Sequence, residues 1–145
     1  MGFMFKRIIM LLATFIFVIC GLTGCGSLKV NNNIEKIKDI PFTVLAEDEL
    51  PAELKSLIDE KKHQEFRMTY QDSGFSYICI GYGKMNTGGY SIQVKELYET
   101  ANAVYTSVLL LGPEPGSIDL TKKNSPSYPF IVIKTQWLEK SVVFN

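Results

Sequence analysis

The sequence predicts a mainly β domain, an antiparallel sandwich or open barrel of about six strands with one N-terminal α-helix packed on it. Three observations carry that expectation. Only the stretch around residues 50–62 repeats apolar residues at helical spacing, whereas about six later or flanking stretches alternate apolar and polar side chains or run as short apolar blocks. Turn residues separate those blocks, and four of the six prolines fall within residues 112–129. The chain has 145 residues with 46% hydrophobic side chains, enough for one packed domain but not for two.

The opening segment reads as a targeting signal. Lys6 and Arg7 precede residues 8–22 (IIMLLATFIFVICGL), a run without charge that is shorter than the roughly 20 residues a membrane-crossing helix needs. Residues 1–24 are therefore expected to be a removable lipoprotein signal peptide. The run ends in Leu22-Thr23-Gly24-Cys25, which resembles the bacterial lipoprotein lipobox. Small residues let the extended backbone enter a peptidase site, and the Cys25 thiol is the nucleophile that takes the diacylglycerol. Several acyl chains on one residue suffice for stable anchoring, so the chain is expected on the extracytoplasmic face of the cell membrane, lipid-anchored through Cys25. Cys20 leaves with the leader and Cys25 is acylated, so Cys79 has no disulfide partner.

Residues 25–39 form the expected lipidated tether, rich in Gly, Ser, Asn and alternating charge, with a short first strand near residues 34–40 as the alternative reading. The β domain is placed at residues 40–145. Phe42 to Leu45 suits an edge strand. Acidic Glu47, Asp48 and Glu49, Pro51 at the first helical position, Leu50, Leu54, Leu57 and Ile58 on one stripe, and Lys61 and Lys62 at the end specify a helix. Residues 65–70 (EFRMTY) and 75–82 (FSYICIGY) then read as a hairpin across Asp72-Ser73-Gly74. Residues 90–100 alternate until Lys95-Glu96, where a phase slip predicts a bulge, and Ala101-Asn102 turns the chain into residues 103–111. After the proline-rich loop, residues 130–135 (FIVIKT) read as a buried strand and residues 141–144 (SVVF) as a last one.

The chemistry-bearing residues argue against an enzyme. The 15 basic and 15 acidic residues balance, which leaves no field for nucleic acid. His63, the one histidine, falls by Lys62 at the helix end and reads as a surface residue; with one thiol it cannot make up a zinc site. Cys79 lies mid-strand between Ile78 and Ile80 and reads as a small buried hydrophobe. Gly81-Tyr82-Gly83-Lys84 lacks the Gly-Lys-Ser/Thr ending and the following helix of a phosphate cradle. No serine-hydrolase elbow occurs. No catalytic residue, cofactor or metal is expected.

What stands out is residues 83–90 (GKMNTGGY), a loop between strands. Glycines there serve equally as turn-makers, or they present Asn86, Thr87, Gly88, Gly89 and Tyr90 at a tip for binding another protein. Residues 81–92 (GYGKMNTGGYSI), with Gly112-Pro113 and Ser127-Tyr128-Pro129-Phe130 beyond, resemble the C-terminal domain of the protease complex subunit PrcB family. The resemblance covers about residues 81–134, and residues 41–60 are similar to what precedes that domain in lipoprotein members. It implies a non-catalytic surface lipoprotein, an accessory or stabilising subunit of a cell-surface or secreted protease. Asn86 to Tyr90 also resembles the Asn-Pro-Thr-Thr-Gly-Tyr loop of chagasin-like cysteine-peptidase inhibitors, which are β-sandwiches. Here the proline is absent and Trp137 lies outside any Arg-Pro-Trp motif. An inhibitor-like binding module and a structural envelope lipoprotein are the alternatives.

Overall fold

The computed structural model describes residues 35–113 and 125–145. The expected leader, Cys25, most of the tether and the middle of the proline-rich loop lie outside the described residues.

Among the described residues, eight strands form two four-stranded sheets. The first contains β1 (Lys38–Asp39), β5 (Ser91–Glu99), β6 (Val104–Leu111) and β8 (Val142–Phe144), in the order β1-β5-β6-β8. The second contains β2 (Thr43–Val44), β3 (Glu65–Asp72), β4 (Phe75–Tyr82) and β7 (Phe130–Gln136), in the order β2-β7-β4-β3. A short 3₁₀ turn (Glu47–Glu49) and the helix α1 (Ala52–Lys61) lie between β2 and β3. The expected mainly β architecture is therefore present, as two sheets consistent with a sandwich and with no closed barrel among the described residues. Two details differ from expectation: the strands number eight, and β8 pairs with β6 in parallel, Val104 opposite Val142.

Local sequence explains the elements. In β3–β4 the two-residue turn Ser73-Gly74 has positive φ at both positions, 50° and 80°, the twist that two-residue hairpins favour, and the ladder runs unbroken from Asp72↔Phe75 to Glu65↔Tyr82. The bulge foreseen at Lys95-Glu96 is observed as a register shift between Val94 and Glu96. It keeps Leu97, buried, on the same inner face as Ile92 and Val94. Pro51 stands one residue before the helix, its carbonyl accepting from Lys55 N at 2.9 Å. The acidic run forms its own 3₁₀ turn, in which Glu49 Oε2 accepts from Ala46 N at 2.8 Å.

The second sheet is buried on both faces, and this sets the layering. Ile78 and Ile80 of β4, Ile131 and Ile133 of β7, Leu97, Val104 and Ile40 fill the space between the sheets. Tyr77, Cys79, Val132 and Phe66 point the other way, against Leu54 and Ile58 of α1. Two apolar layers thus share one sheet, with the helix covering the second. Leu54 and Ile58, at i and i+4, are 0% and 1% exposed, so the expected stripe is what docks the helix. Such β4 burial explains why FSYICIGY reads as a nearly continuous apolar run.

Candidate functional site

β4 ends at Tyr82 and β5 begins at Ser91, while β6 ends at Leu111 and β7 begins at Phe130. Both connecting loops therefore emerge at one end of the sandwich. There the candidate loop is tied to its neighbour. Met85 and Ser127 form an antiparallel bridge, Met85 N donating to Ser127 O at 2.8 Å and Ser127 N to Met85 O at 3.0 Å. Ser127 Oγ donates to the Thr87 carbonyl at 2.6 Å. One step on, Tyr82 N donates to Pro129 O at 3.0 Å, so segment 127–129 is laced along the outgoing end of β4 and its loop. The ring of His63 meets Tyr128 edge-on, with centroids 4.8 Å apart.

Gly89 is the residue on which the loop turns. Its φ of +86° lies in the left-handed region that side chains with a Cβ resist, and a Cβ built there would stand 3.0 Å from Pro113 Cβ. The glycine thus provides both the reversal and the close approach to the 112–113 segment. Beside it, Tyr90 lies against Gly112. Asn86 and Gly89 are exposed, whereas Thr87, Gly88 and Tyr90 are half-buried. The five candidate residues are therefore not equivalent. Asn86 presents an exposed side chain, Gly89 an exposed backbone, and Thr87 has its carbonyl already engaged by Ser127.

Sequence reading named this loop but assigned no role to Ser127, Met85 or Pro113 in holding it. The signal for that role is absent from local pattern, because Ser127 and Thr87 are 40 residues apart.

Of the remaining sequence candidates, His63 and Gly81-Tyr82 border this loop end, whereas Cys79 and Trp137 do not. Cys79 is fully buried between Tyr77 and Val132, and burial pushes its thiol up to about 12, so at neutral pH it carries its proton and is no nucleophile. His63 lies just beyond α1, exposed, with its ring on Tyr128. Among the described residues, no group of three or more His, Cys, Asp and Glu side chains is placed to hold a metal ion, and no helix is long and apolar enough to cross a membrane. Gly81 and Tyr82 belong to β4 and no helix follows, so nothing there presents N–H groups to a phosphate. Trp137 stands at the opposite end of the sandwich, where its N–H donates to Gly74 O at 3.1 Å. It shares no surface with the Asn86 to Tyr90 loop.

Comparison with known proteins returns one family. Residues 76–136 match the family model described as PrcB C-terminal. The matched span opens within β4 and closes at the end of β7, so it takes in the candidate loop, the second hairpin and the Ser127 to Pro129 segment that braces the loop. No curated protein and no solved structure matches the chain.

Proposed function

We propose that this chain, whose residues 76–136 match the PrcB C-terminal family model, is a non-catalytic accessory subunit of a cell-surface protease, held on the extracytoplasmic membrane face by acylated Cys25. The match across residues 76–136 is the observation that carries the reading. It links the chain to a family of protease-complex subunits, and the braced loop inside the matched span is the partner contact. Asn86 and Gly89 project from it, with the 112–113 and 125–128 segments alongside.

The physical character of the loop suits a binding role. A partner meeting a flexible tip must order it first, at a cost that weakens association, whereas a loop already fixed by three hydrogen bonds to Ser127 loses little on binding.

Affinity purification of the wild-type protein and of Asn86→Arg from solubilised membranes tests the proposal. Asn86 is exposed, so the substitution leaves the fold intact while placing a long cation at the contact. Recovery of a protease with wild type and its loss with Asn86→Arg is the expected result. Equal recovery with both proteins removes the loop from the contact, and recovery of no protease with either removes the subunit reading.

A further inference from the structure

The end of the sandwich opposite the loop cluster is where the N-terminal chain joins the domain. β1 runs antiparallel to β5 with Lys38 opposite Glu99, and Ile37 N donates to Glu99 O at 2.8 Å. Ile37, the residue before β1, therefore lies at the end that holds the turn after β5 and the turn between β3 and β4. Two large apolar side chains are exposed there, Ile37 at 60% and Trp137 at 52%. Trp137 is the chain's only tryptophan. It borders an open groove of about 420 Å³ whose other walls include Lys38, Ile40, Pro41, Leu138 and Lys140. Its backbone is fixed by the bond to Gly74 O, and the next residue, Leu138, donates its N–H to Ser76 Oγ at 2.9 Å. The indole is thus carried outward on a pinned segment.

We propose that this end rests on the phospholipid surface with the Trp137 indole at headgroup level, so that the Asn86 to Tyr90 loop cluster is held on the far side, facing away from the bilayer. The placement rests on the reading of Cys25 as the lipid anchor.

Chain length makes the contact geometrically natural. Nine residues lie between Cys25 and Glu35, so even fully extended chain bridges no more than about 36 Å between them. The near end of the domain is then confined close to the surface, while strands of eight residues put the loops about 26 Å farther out. Tethering at such a distance raises the effective concentration of the near end at the bilayer to the millimolar range, where one indole and one isoleucine need little intrinsic affinity. Tryptophan suits the task, with an apolar ring and an N–H that stays solvated at the interface.

Charge attraction is not the driving force. Lys140 Nζ and Lys38 Nζ both pair with Glu99, at 2.6 and 3.0 Å, and Lys36 pairs with Asp39. Glu99 alone answers two of these lysines, and Glu139, which also lines the groove, brings the local sum of three lysines and three carboxylates to zero, so the contact is expected to be insensitive to salt and to anionic lipid.

The lone tryptophan makes the test direct. The full-length gene product is purified from membranes in detergent, its intact mass is read for the acyl modification, and it is reconstituted into phosphatidylcholine vesicles with and without brominated chains. We expect Trp137 emission to shift to shorter wavelength and to be lost in brominated vesicles, unchanged by added phosphatidylglycerol or salt. A second reporter, Asn86→Trp in a Trp137→Phe background, should show neither effect. An acylated protein whose Trp137 is unquenched, or whose residue 86 reporter is quenched as strongly, overturns the placement alone. An unacylated mass overturns the anchor and the placement together.

Discussion

Gly81→Ala is the most informative single change to the scaffold, because it probes how the matched domain is joined to the hairpin before it. Gly81 lies directly opposite Phe66 in the β3–β4 ladder, and the Phe66 ring lies flat across it. A Cβ at residue 81 would stand 2.1 Å from Phe66 Cε1 and 2.6 Å from Cδ1, far inside contact distance. The ring has nowhere easy to go, since it is packed with Leu54, Ile58, Tyr77, Cys79 and Val132 under the helix. Overpacking of this kind costs about 1–3 kcal/mol, and complete expulsion of the ring would approach the ~3–5 kcal/mol of a Phe→Ala truncation. Against this, alanine is better than glycine within a strand by roughly 0.5–1 kcal/mol, so overpacking leaves a net loss centred on about 1 kcal/mol and reaching about 2.5 kcal/mol. Urea unfolding measures it, with a shifted midpoint and an unchanged slope. The decisive control is Phe66→Ala, in whose background Gly81→Ala should become neutral or stabilising. Additive losses in the double variant, or a neutral Gly81→Ala in the wild type, would refute the packing argument.

Four further outcomes follow from the geometry. Ser127→Ala removes the bond to the Thr87 carbonyl and should cost about 0.5–1.5 kcal/mol, with faster amide exchange confined to residues near Met85 and Ser127; unchanged exchange there would show that the brace is redundant. Gly89→Val should distort the loop more than Asn86→Arg does, seen as chemical-shift changes reaching Pro113, because only the former meets the positive φ and the Pro113 ring. Cys79 ionises near 9 in the unfolded chain and at about 12 in the fold, so its contribution is intact below pH 9 and is lost as pH rises from there to about 12; stability should fall by up to ~1.4 kcal/mol per unit in that window, less so in Cys79→Ala. Glu99 behaves in the opposite sense, since hydrogen bonds from Lys140 and then Lys38 hold its carboxyl below the usual range; its contribution is present above the ordinary carboxylate range and is lost on acidification through the lowered value, so Glu99→Gln should flatten the acid side of a stability profile.

How far the sequence revealed this arrangement depends on the range of the contacts. The β3–β4 hairpin, the bulge near Lys95-Glu96 and the helix stripe of Leu54 and Ile58 are local features, and local periodicity or turn chemistry foretold each. β2 falls within the expected edge strand from Phe42 to Leu45, and β1 within residues 34–40, where a short strand is only the alternative to a tether; with two residues apiece they show no alternation, and each is defined by its pairing with β7 or β5. The parallel pairing of β8 with β6 is a long-range choice that SVVF does not encode. At the candidate site the same divide holds. Glycine pattern marked a turn at residues 88–89, but the bridge from Met85 to Ser127 and the Gly89 contact with Pro113 join segments far apart in sequence. The exposure of Asn86 beside the half-buried Thr87 and Tyr90 follows from those contacts, which is why the sequence treated all five residues alike.

The central claim is that a protease-complex partner docks on the loop end of the sandwich. Site-specific photo-cross-linking in intact cells addresses it most directly, with a photoreactive side chain at Asn86 and, for comparison, at Ser56 on the exposed face of the helix. The account predicts a discrete adduct from residue 86 that contains a protease and none from residue 56. A protease adduct from residue 56 and not from residue 86, or none from either, would contradict it.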